Sequence, residues 1–439
     1  MKRYNGGRLL ALTVFVLYLG SCTKDDIRVD QVPLAKKYPG DVVVKWLEMD
    51  LEMMRVPLAT GAASQAAERV MAYNGIALYE AVVQGIPAHR SLGGQLTGLP
   101  ALPLPEVGKP YHWGATANAA LAFMNRKLFP GASDANKAKM DALESQFQTS
   151  FEAETDDATL ERSIAYGRSV AARIAEWAST DGSANINPAY VPPVGEGLWV
   201  PTAATPPVNP YASQRRLLVP GIKAAVPIPQ LPAYSTSPTS DFYAMAKDVY
   251  DKSQVLTEDQ KAQAFYHRDA PGYPGGGHFV AVLAQVLTAS GADLEKATLA
   301  FVKSGIVLND AVVICFSEKY RVNTVRPVTY IRSVLGFTDW STLIPTPNHP
   351  EFPSAHAVNA GAVSKAMEDV LGKKFAFTLR TYDYLPLPSR TYESFQSMAL
   401  EMANSRVFGG IHYQKSCDIG REVGRQVTEN MLKKLNFKK

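Results

Sequence analysis

The sequence predicts an all-α fold, and three observations lead to this prediction. Apolar residues recur at three- and four-residue intervals along most of the 439-residue chain, as they do on the buried face of a helix. Strict alternation of apolar and polar residues, the pattern of a half-buried strand, is scarce. No internal repeat of roughly 20–50 residues is present. We therefore expect roughly a dozen helices in two packed bundles that are divided by a long proline-rich loop.

The composition indicates a folded protein and argues against a nucleic-acid partner. Hydrophobic residues make up 46% of the chain and charged residues 20%, which allows a sizeable core. The net charge of +4 is small for this length. Lysine and arginine form no stripe interleaved with aromatic residues, so nucleic acid is not an expected partner.

The N-terminus has the pattern of a bacterial lipoprotein. A basic start precedes a short apolar run, Leu9 to Leu19, which is too short to span a membrane comfortably. Small residues then precede Cys22, and polar residues follow. We interpret residues 1–21 as a lipoprotein signal peptide and residues 22–40 as a tether. The chain would be exported and anchored by a lipid on Cys22 to the periplasmic or outer face of a bacterial membrane. A plain signal peptide with an incidental cysteine is the alternative.

The elements of the fold follow in order after the tether, and no later segment is expected to span a membrane. Four helical runs come first: Val42–Val56, Ala62–Val83, Trp113–Leu128 and Leu160–Trp177. Proline and glycine then dominate from about Asn187 to Pro238, where they would break helices repeatedly. Helical spacing resumes at Asp241 and continues to the end. We assign residues 41–238 to an N-terminal bundle with its loop, and residues 239–439 to a catalytic helical domain.

The other two cysteines and four of the seven histidines carry no strong functional signal. Cys315 and Cys417 have no metal-site spacing, and whether they pair is open. His89 and His112 lie in polar or loop surroundings and are expected at the surface. His267 and His278 flank a glycine cluster that lacks the spacing of a nucleotide-binding loop.

His356 stands in a motif that predicts an anion site at a helix N-terminus. Residues 350–356 read PEFPSAH and precede a helical run that starts at Ala357. The first N–H groups of a helix have no partner within it, and the positive end of the helix dipole lies there. Ser354 adds a hydrogen-bond donor and His356 a group for proton transfer. Taken alone, the same residues fit a simple helix cap beside a histidine.

Two further segments bring basic residues and a histidine to helix ends. Arg406 is followed by the pair Gly409-Gly410, which should interrupt the helix and let Arg406 and His412 converge from two helix ends. Lys319 closes an apolar helix, and a proline directly after Arg326 suits the first turn of the next one. Together the three segments supply cations, a hydroxyl, a helix N-terminus and two imidazoles, as a tetrahedral or trigonal-bipyramidal oxyanion requires. We define the oxyanion site by six residues: Lys319, Arg326, Ser354, His356, Arg406 and His412.

These segments resemble the three motifs of the type 2 phosphatidic acid phosphatases and vanadium-dependent haloperoxidases, in the same order. The family motifs are Lys, six residues, Arg-Pro; Pro-Ser-Gly-His; and Ser-Arg, five residues, His, three residues, Asp. Here they read Lys319…Arg326-Pro327, Pro353-Ser354-Ala355-His356 and Ser405-Arg406…His412. The region from about His267 to the C-terminus is similar to the bacterial haloperoxidase branch.

The resemblance implies a vanadate cofactor, with hydrogen peroxide and halide as substrates. His412 would be the apical ligand of vanadate through Nε2, or the nucleophile of a phosphatase. The groups that would neutralise or bind the oxyanion oxygens are Lys319, Arg326, Arg406, Ser354 and the backbone N–H of Ala355. Lys319 would also polarise bound peroxide, and His356 would be the general acid or base.

The chain departs from the family's pattern at three positions. One is Val325, directly before Arg326, where the haloperoxidase branch usually shows an aromatic residue. Ala355 replaces the motif glycine, which is tolerable if the backbone there has ordinary angles. Ser416 stands where the phosphatases have the aspartate that orients the nucleophilic histidine, and this weakens the phosphatase interpretation. An exported acid-phosphatase-like hydrolase with a phosphohistidine intermediate and a non-catalytic oxyanion-binding lipoprotein remain alternatives to a haloperoxidase.

One position bears on halide preference. His349 aligns with the halide-pocket residue, which is aromatic in chloroperoxidases and histidine in bromoperoxidases, so the resemblance implies bromide or iodide. Phe316, about one turn before Lys319, would wall the same pocket. A loop histidine beside a proline, and a core phenylalanine, explain the two residues equally well.

Overall fold

The computed structural model describes residues 34–54, 66–269, 272–273 and 276–439, and nearly all regular structure in this part is helical. Its α-helices are α1 (Asp41–Met54), α2 (Ala67–Val82), α3 (Trp113–Leu128), α4 (Asp134–Glu152), α5 (Asp157–Ala178), α6 (Asp241–Ser253), α7 (Glu258–Tyr266), α8 (Gly277–Ala289), α9 (Leu294–Val322), α10 (Pro327–Ser333), α11 (Ala355–Leu371), α12 (Phe395–Phe408) and α13 (Gln414–Lys434). Strands β1 (Phe377–Leu379) and β2 (Arg390–Tyr392) form a short antiparallel pair. The all-α prediction is confirmed.

Helix α9 is the central element of the core. Asp293 caps its start by accepting a hydrogen bond from Lys296 N at 2.8 Å, and Asn323 ends it with a left-handed backbone, φ 51°. Its most extensive packing is against α2 and α11. By length and composition alone α9 could cross a membrane, contrary to the expectation from the sequence, but 94% of its apolar window is buried inside the protein. In this structure α9 is a core helix whose last turn carries Lys319.

The proline-rich segment between α5 and α6 is a long loop, as predicted, with only two short 3₁₀-helices, Ala212–Gln214 and Lys223–Ala225, in its described length. The buried carboxylate of Asp310 on α9 accepts hydrogen bonds from Leu218 N at 2.7 Å and Val219 N at 2.9 Å. Closer to the site, Trp199 N donates to Asn323 O at 2.7 Å. The loop is therefore bonded to α9 before Lys319, at Asp310, and directly after α9, at Asn323.

Helices α11 and α13 approach each other so closely that glycine is required at their contact. A Cβ atom on Gly361 would lie 2.0 Å from Arg421 O, and one on Gly424 would lie 1.9 Å from Val358 O. Ser354 and His356 lie at the start of α11, and His412 lies just before α13. This contact therefore fixes the distance between two parts of the oxyanion site.

Several expectations from the sequence need correction or remain predictions. The end of the predicted tether, residues 34–40, packs onto the folded body, because Gly40 N donates to Ala292 O at 3.0 Å and Leu294 N donates to Tyr38 O at 2.9 Å. The signal peptide and Cys22 lie outside the described residues. The boundary between residues 238 and 239 stays a prediction, although one core cluster contains residues from both sides of it.

The two histidines expected at the surface are buried. His89 is 7% exposed and His112 is 2% exposed. The Nδ1 atom of His112 accepts a hydrogen bond from Ala115 N at 3.0 Å, so this side chain caps α3. The polar sequence around His112 did not lead to an exposed side chain, because its imidazole nitrogen finds a hydrogen-bond partner inside the fold by capping α3.

Candidate oxyanion site

Lys319 enters the site from the last turn of α9. Its ammonium nitrogen donates to two backbone carbonyls, Pro350 O at 2.9 Å and Glu351 O at 2.8 Å. An ammonium group has three N–H bonds, so one remains for a ligand. Burial lowers the pKa of Lys319 to about 7. The cation is therefore held in place by the same segment that carries Ser354.

Arg326 lies at the start of α10, as predicted, and makes no side-chain cap there. More of its guanidinium N–H groups contact protein atoms than the sequence implied. Nε donates to His349 O at 2.9 Å, and Nη2 faces Pro347 O at 3.3 Å and His349 Nδ1 at 3.0 Å. Nη1 donates to Ile411 O at 2.8 Å and lies 3.2 Å from His412 Nε2. Arg326 therefore supplies buried charge and one N–H directed at the key nitrogen of His412, and its other N–H groups face the protein.

His412 is oriented by a carboxylate that sequence reasoning did not identify. Glu351 Oε1 lies 2.6 Å from His412 Nδ1 and also accepts from Tyr413 N at 3.1 Å. A carboxylate at Nδ1 favours the tautomer with the proton on that nitrogen, which leaves a lone pair on Nε2. Burial, together with Arg326 and Lys319, lowers the pKa of His412 well below its usual value. Its Nε2 thus carries the lone pair that a ligand or nucleophilic attack would use, and in this structure that nitrogen faces Arg326 Nη1.

Glu351 changes the interpretation of Ser416. The sequence places serine where the phosphatases have an orienting aspartate, but Glu351 reaches His412 from another segment. Burial raises the pKa of the Glu351 carboxyl to about 7. The role of Glu351 could have been suspected from its place inside the PEFPSAH motif. A carboxylate is unfavourable in an anion site unless it pairs with another group.

Arg406 makes a hydrogen bond to the C-terminal end of α7. Its Nη1 donates to the backbone carbonyl of His267, the residue that ends α7, at 2.5 Å. The His267 side chain contacts Glu401 on α12, with 3.0 Å between Nε2 and Oε1. Arg406 Nε is buried without a hydrogen-bond partner in the part of the chain that the structure describes, which makes it available to a ligand. His267 is a second residue that sequence reasoning did not assign to the site.

Ser354 and Ala355 form the predicted helix N-terminus. Ser354 precedes α11 but makes no side-chain cap, and its buried hydroxyl has no hydrogen-bond partner among the described residues. This observation disfavours the simple capping role and leaves the hydroxyl available to an anion. Ala355 is the first residue of α11 and is not among the described residues with positive φ. The alanine is therefore compatible with the backbone that the motif needs.

His356 pairs with a carboxylate at the more open side of the site. Its Nε2 lies 2.9 Å from Asp269 Oδ1, and its side chain is 15% exposed. Burial and the nearby Arg406 lower the pKa of His356. With Nε2 protonated toward Asp269, Nδ1 is the basic nitrogen.

The two residues predicted to form a halide pocket lie beside the site. The rings of Phe316 and His349 make an edge-to-face contact with centroids 5.1 Å apart, and His349 contacts Arg326. Their role in halide binding stays a prediction.

Cys315 and Cys417 are both buried free cysteines, which answers the question of pairing.

The residues present fit a bound oxyanion. Three buried cations, Lys319, Arg326 and Arg406, all have their pKa lowered, chiefly by burial. Unpartnered donors remain on Ser354 and Arg406. Buried charge and unsatisfied donors are costly unless a partner compensates them, and an anion would compensate both.

The chain is similar to known vanadium-dependent haloperoxidases. Residues 336–438 match the family model described as the VCPO second helical-bundle domain. A solved bacterial vanadium-dependent iodoperoxidase is 28% identical, with a TM-score of 0.80 over 91% of this chain and 97% of its own. No curated protein sequence matches significantly.

Two more distant structures share the fold. A holo-type bacterial vanadium-dependent chloroperoxidase is 16% identical, with a TM-score of 0.61 over 83% of this chain and 89% of its own. An apo-type chloroperoxidase is 15% identical, with a TM-score of 0.58 over 91% and 94%. The family match over residues 336–438 and the likeness to the iodoperoxidase support a place for this chain in the vanadium haloperoxidase superfamily.

Proposed function

We propose that the chain is a vanadate-dependent haloperoxidase that oxidises halide with hydrogen peroxide and prefers bromide or iodide. The structural matches to vanadium-dependent haloperoxidases support an enzyme of haloperoxidase type. The observation that carries the proposal is His412, whose Nδ1 is held 2.6 Å from Glu351 while its Nε2 faces Arg326 among buried cations. The 28% identity to an iodoperoxidase over most of both chains supports it.

The residues that would hold vanadate are those of the oxyanion site. His412 Nε2 would bind the metal, and the donors to its oxygens would be Lys319, Arg406, Ser354 and the backbone N–H of Ala355. Arg326 would contribute its buried charge and the one N–H that faces His412 Nε2. Bound vanadate would supply Lewis-acid activation of peroxide without a change in its own oxidation state. The three cations would offset the negative charge of the cofactor.

The remaining chemistry is proton handling by the chain. Because its pKa is lowered, His356 is neutral near pH 7 and can accept a proton at Nδ1 from incoming hydrogen peroxide. Asp269 on Nε2 then stabilises the imidazolium, as a carboxylate does in other acid–base pairs. The third N–H of Lys319 is free to polarise a bound peroxide oxygen.

Halide selectivity is assigned to His349 and Phe316. Burial and the cations Lys319 and Arg326 lower the pKa of His349 well below its usual value, so the ring is neutral. A neutral imidazole beside a phenylalanine edge offers a polarisable, weakly hydrated surface, which suits large halides better than chloride.

An exported acid-phosphatase-like hydrolase is the second candidate, and Glu351 favours it. With its Nδ1 on a carboxylate, His412 Nε2 is also suited to attack phosphorus, and His356 could protonate the leaving alkoxide. A lipoprotein that binds an oxyanion without catalysis is the third candidate.

One pair of assays separates the three. Apo-protein is incubated with orthovanadate, and halogenation of a phenol dye is followed after addition of hydrogen peroxide with bromide or iodide. In parallel, release of phosphate from an aryl phosphate is measured with and without vanadate. Halogenation supports the haloperoxidase; vanadate-inhibited phosphate release without halogenation supports the hydrolase. Saturable anion binding with neither activity leaves the binding protein. His412→Ala should abolish either activity, which ties it to this site.

We also propose export and lipid anchoring at Cys22, on the strength of the N-terminal sequence pattern. In cells fed with radiolabelled fatty acid, the wild-type chain should carry label and sediment with membranes. Cys22→Ser should carry none. Labelling that is unchanged in Cys22→Ser would contradict the proposal.

A further inference from the structure

His278 is a buried imidazole next to the oxyanion site that the proposed chemistry does not use. It lies in the first turn of α8 and is 6% exposed. Neither Nδ1 nor Nε2 has a hydrogen-bond partner among the described residues. Burying an imidazole with both nitrogens unsatisfied is unfavourable, so this arrangement points to a ligand.

The neighbours of His278 place it between a surface cavity and the oxyanion site. On one side its ring stacks on Tyr382, with centroids 5.6 Å apart, and Tyr382 in turn stacks on Tyr273 at 6.2 Å. Tyr273 lines a cavity of about 600 Å³. On the other side the ring of His267, whose carbonyl holds Arg406, lies 5.6 Å away.

The chemistry of His278 selects the class of ligand. Burial, with His267 and His356 nearby, lowers the pKa of His278 well below its usual value, so the ring is neutral. A neutral imidazole has one N–H donor and one acceptor nitrogen. A halide or a fully deprotonated oxyanion only accepts hydrogen bonds and would leave the acceptor nitrogen unsatisfied. Hydrogen peroxide is small and uncharged, and both its hydroxyl groups donate and accept.

We propose that His278 binds hydrogen peroxide by hydrogen bonds and holds it beside His356. The Nδ1 atom of His267 is also buried without a partner in the described ranges and provides a second contact from the adjacent ring. No bond is made or broken at His278; its contribution is to raise the local occupancy of peroxide at the site. The inference rests on the proposed haloperoxidase function and names a residue for its second substrate.

The test is a peroxide titration of the vanadate-loaded protein in the absence of halide, followed by the near-UV absorbance of bound vanadate. His278→Phe keeps a ring on Tyr382 but removes both hydrogen-bonding atoms. From the time course at each peroxide concentration, we expect the second-order rate constant of the absorbance change to fall about tenfold, while the final absorbance at saturating peroxide is unchanged. The KM for peroxide should rise. The KM for iodide and the affinity for vanadate should stay within about twofold. His278→Asn, which keeps a donor and an acceptor, should recover part of the loss.

His89→Phe is the matched control, because His89 is also buried with an unpartnered Nδ1 and lies away from the site, where its backbone pairs with Lys438. An unchanged rate constant in His278→Phe, or an equal fall in His89→Phe, overturns the inference. A change confined to the KM for iodide also overturns it. If wild-type absorbance does not respond to peroxide, the proposed function fails as well; a normal response in both wild type and His278→Phe removes this inference alone.

Discussion

At the scale of single residues, the site is a cluster of buried cations whose charge is only partly offset. Lys319, Arg326 and Arg406 are all at most 2% exposed, and Glu351 is the buried carboxylate that both lowers this charge and orients His412. Such an arrangement is costly in the free protein and favourable once an anion binds. Part of the binding free energy therefore comes from relief of the repulsion between these buried cations when an anion binds.

Glu351→Gln tests the orienting role of this carboxylate. The amide keeps the volume but weakens the hydrogen bond to His412 Nδ1 and no longer fixes the tautomer. We expect the affinity for vanadate to fall about 10–100-fold, as for other residues that orient a metal-binding histidine, while phosphate binding by apo-protein changes less. Both are measured by equilibrium titration.

Glu318→Gln is the control for that variant. Glu318 is similarly buried on α9, at 7% exposure, but pairs with Arg321 and Gln230 instead of His412. If the two variants lose vanadate affinity to the same extent, the contact between Glu351 and His412 is not the cause.

Lys319 predicts how anion binding depends on pH. Burial lowers its pKa from the usual 10.5 to about 7, so in the free site it is charged below pH 7 and neutral above. Anion binding requires the charged form. Affinity should therefore be highest below pH 7 and fall as pH rises, by up to about tenfold per unit. Ionisation of Glu351, whose pKa is also about 7, acts in the same direction.

Sulfate is the right probe, because it stays a dianion over this pH range. Titration calorimetry of apo-protein from pH 6 to pH 9 gives the profile. Lys319→Met should bind more weakly at pH 6 and show a shallower profile, with the remaining slope due to Glu351. A profile as steep as that of the wild type would assign the pH dependence elsewhere.

Much of the site could be predicted from the sequence, because its residues sit at fixed spacings around helix ends. The cations and both histidines follow from such local signals. Glu351, His267 and Asp269 could not be assigned, because each acts across the fold on a residue more than sixty positions away. Spacing along the chain does not encode contacts of that kind.

At the scale of elements, the site is made where helix ends meet. The end of α9 and the starts of α10 and α11 bring Lys319, Arg326 and Ser354 together, and the break at Gly409-Gly410 separates α12 from α13. Gly410 has φ 76°, a conformation that favours glycine. Helical periodicity found α3 with its observed bounds, but the polar helix α4 was not predicted because it has little apolar face.

Gly424→Ala tests whether the contact between α11 and α13 sets the site geometry. The added methyl would lie 1.9 Å from Val358 O, so the helices must separate. We expect a loss of about 1–3 kcal/mol in the free energy of unfolding together with weaker sulfate binding. Gly195→Ala, where the nearest atom is a Leu198 side-chain carbon at 3.1 Å, should leave both unchanged. Lost stability with normal sulfate affinity would show that the contact supports the fold but not the site.

At the scale of the whole molecule, one core joins residues from both predicted domains. Helix α9 packs against α2 before the proline-rich loop and against α11 after it, and the loop itself is fixed to Asp310. A change in the charge of the oxyanion site is therefore expected to change the stability of helices on both sides of the proline-rich loop. Sequence patterns predicted the helices but not this sharing of one core, because periodicity shows which face is buried and not what covers it.

The last prediction follows from that coupling: an oxyanion should stabilise the entire fold. A ligand at 100 times its Kd adds about 2.7 kcal/mol to the free energy of unfolding if it binds only the folded state. Differential scanning calorimetry with orthovanadate or phosphate should show a rise of several degrees in Tm. Arg406→Met should lose most of this rise, since it removes one of three buried cations. Arg425→Met, on the outer face of α13 where Arg425 pairs with Glu422, should keep it. An equal rise in all three proteins would mean that the anion acts by a general salt effect, because only binding at the oxyanion site depends on Arg406.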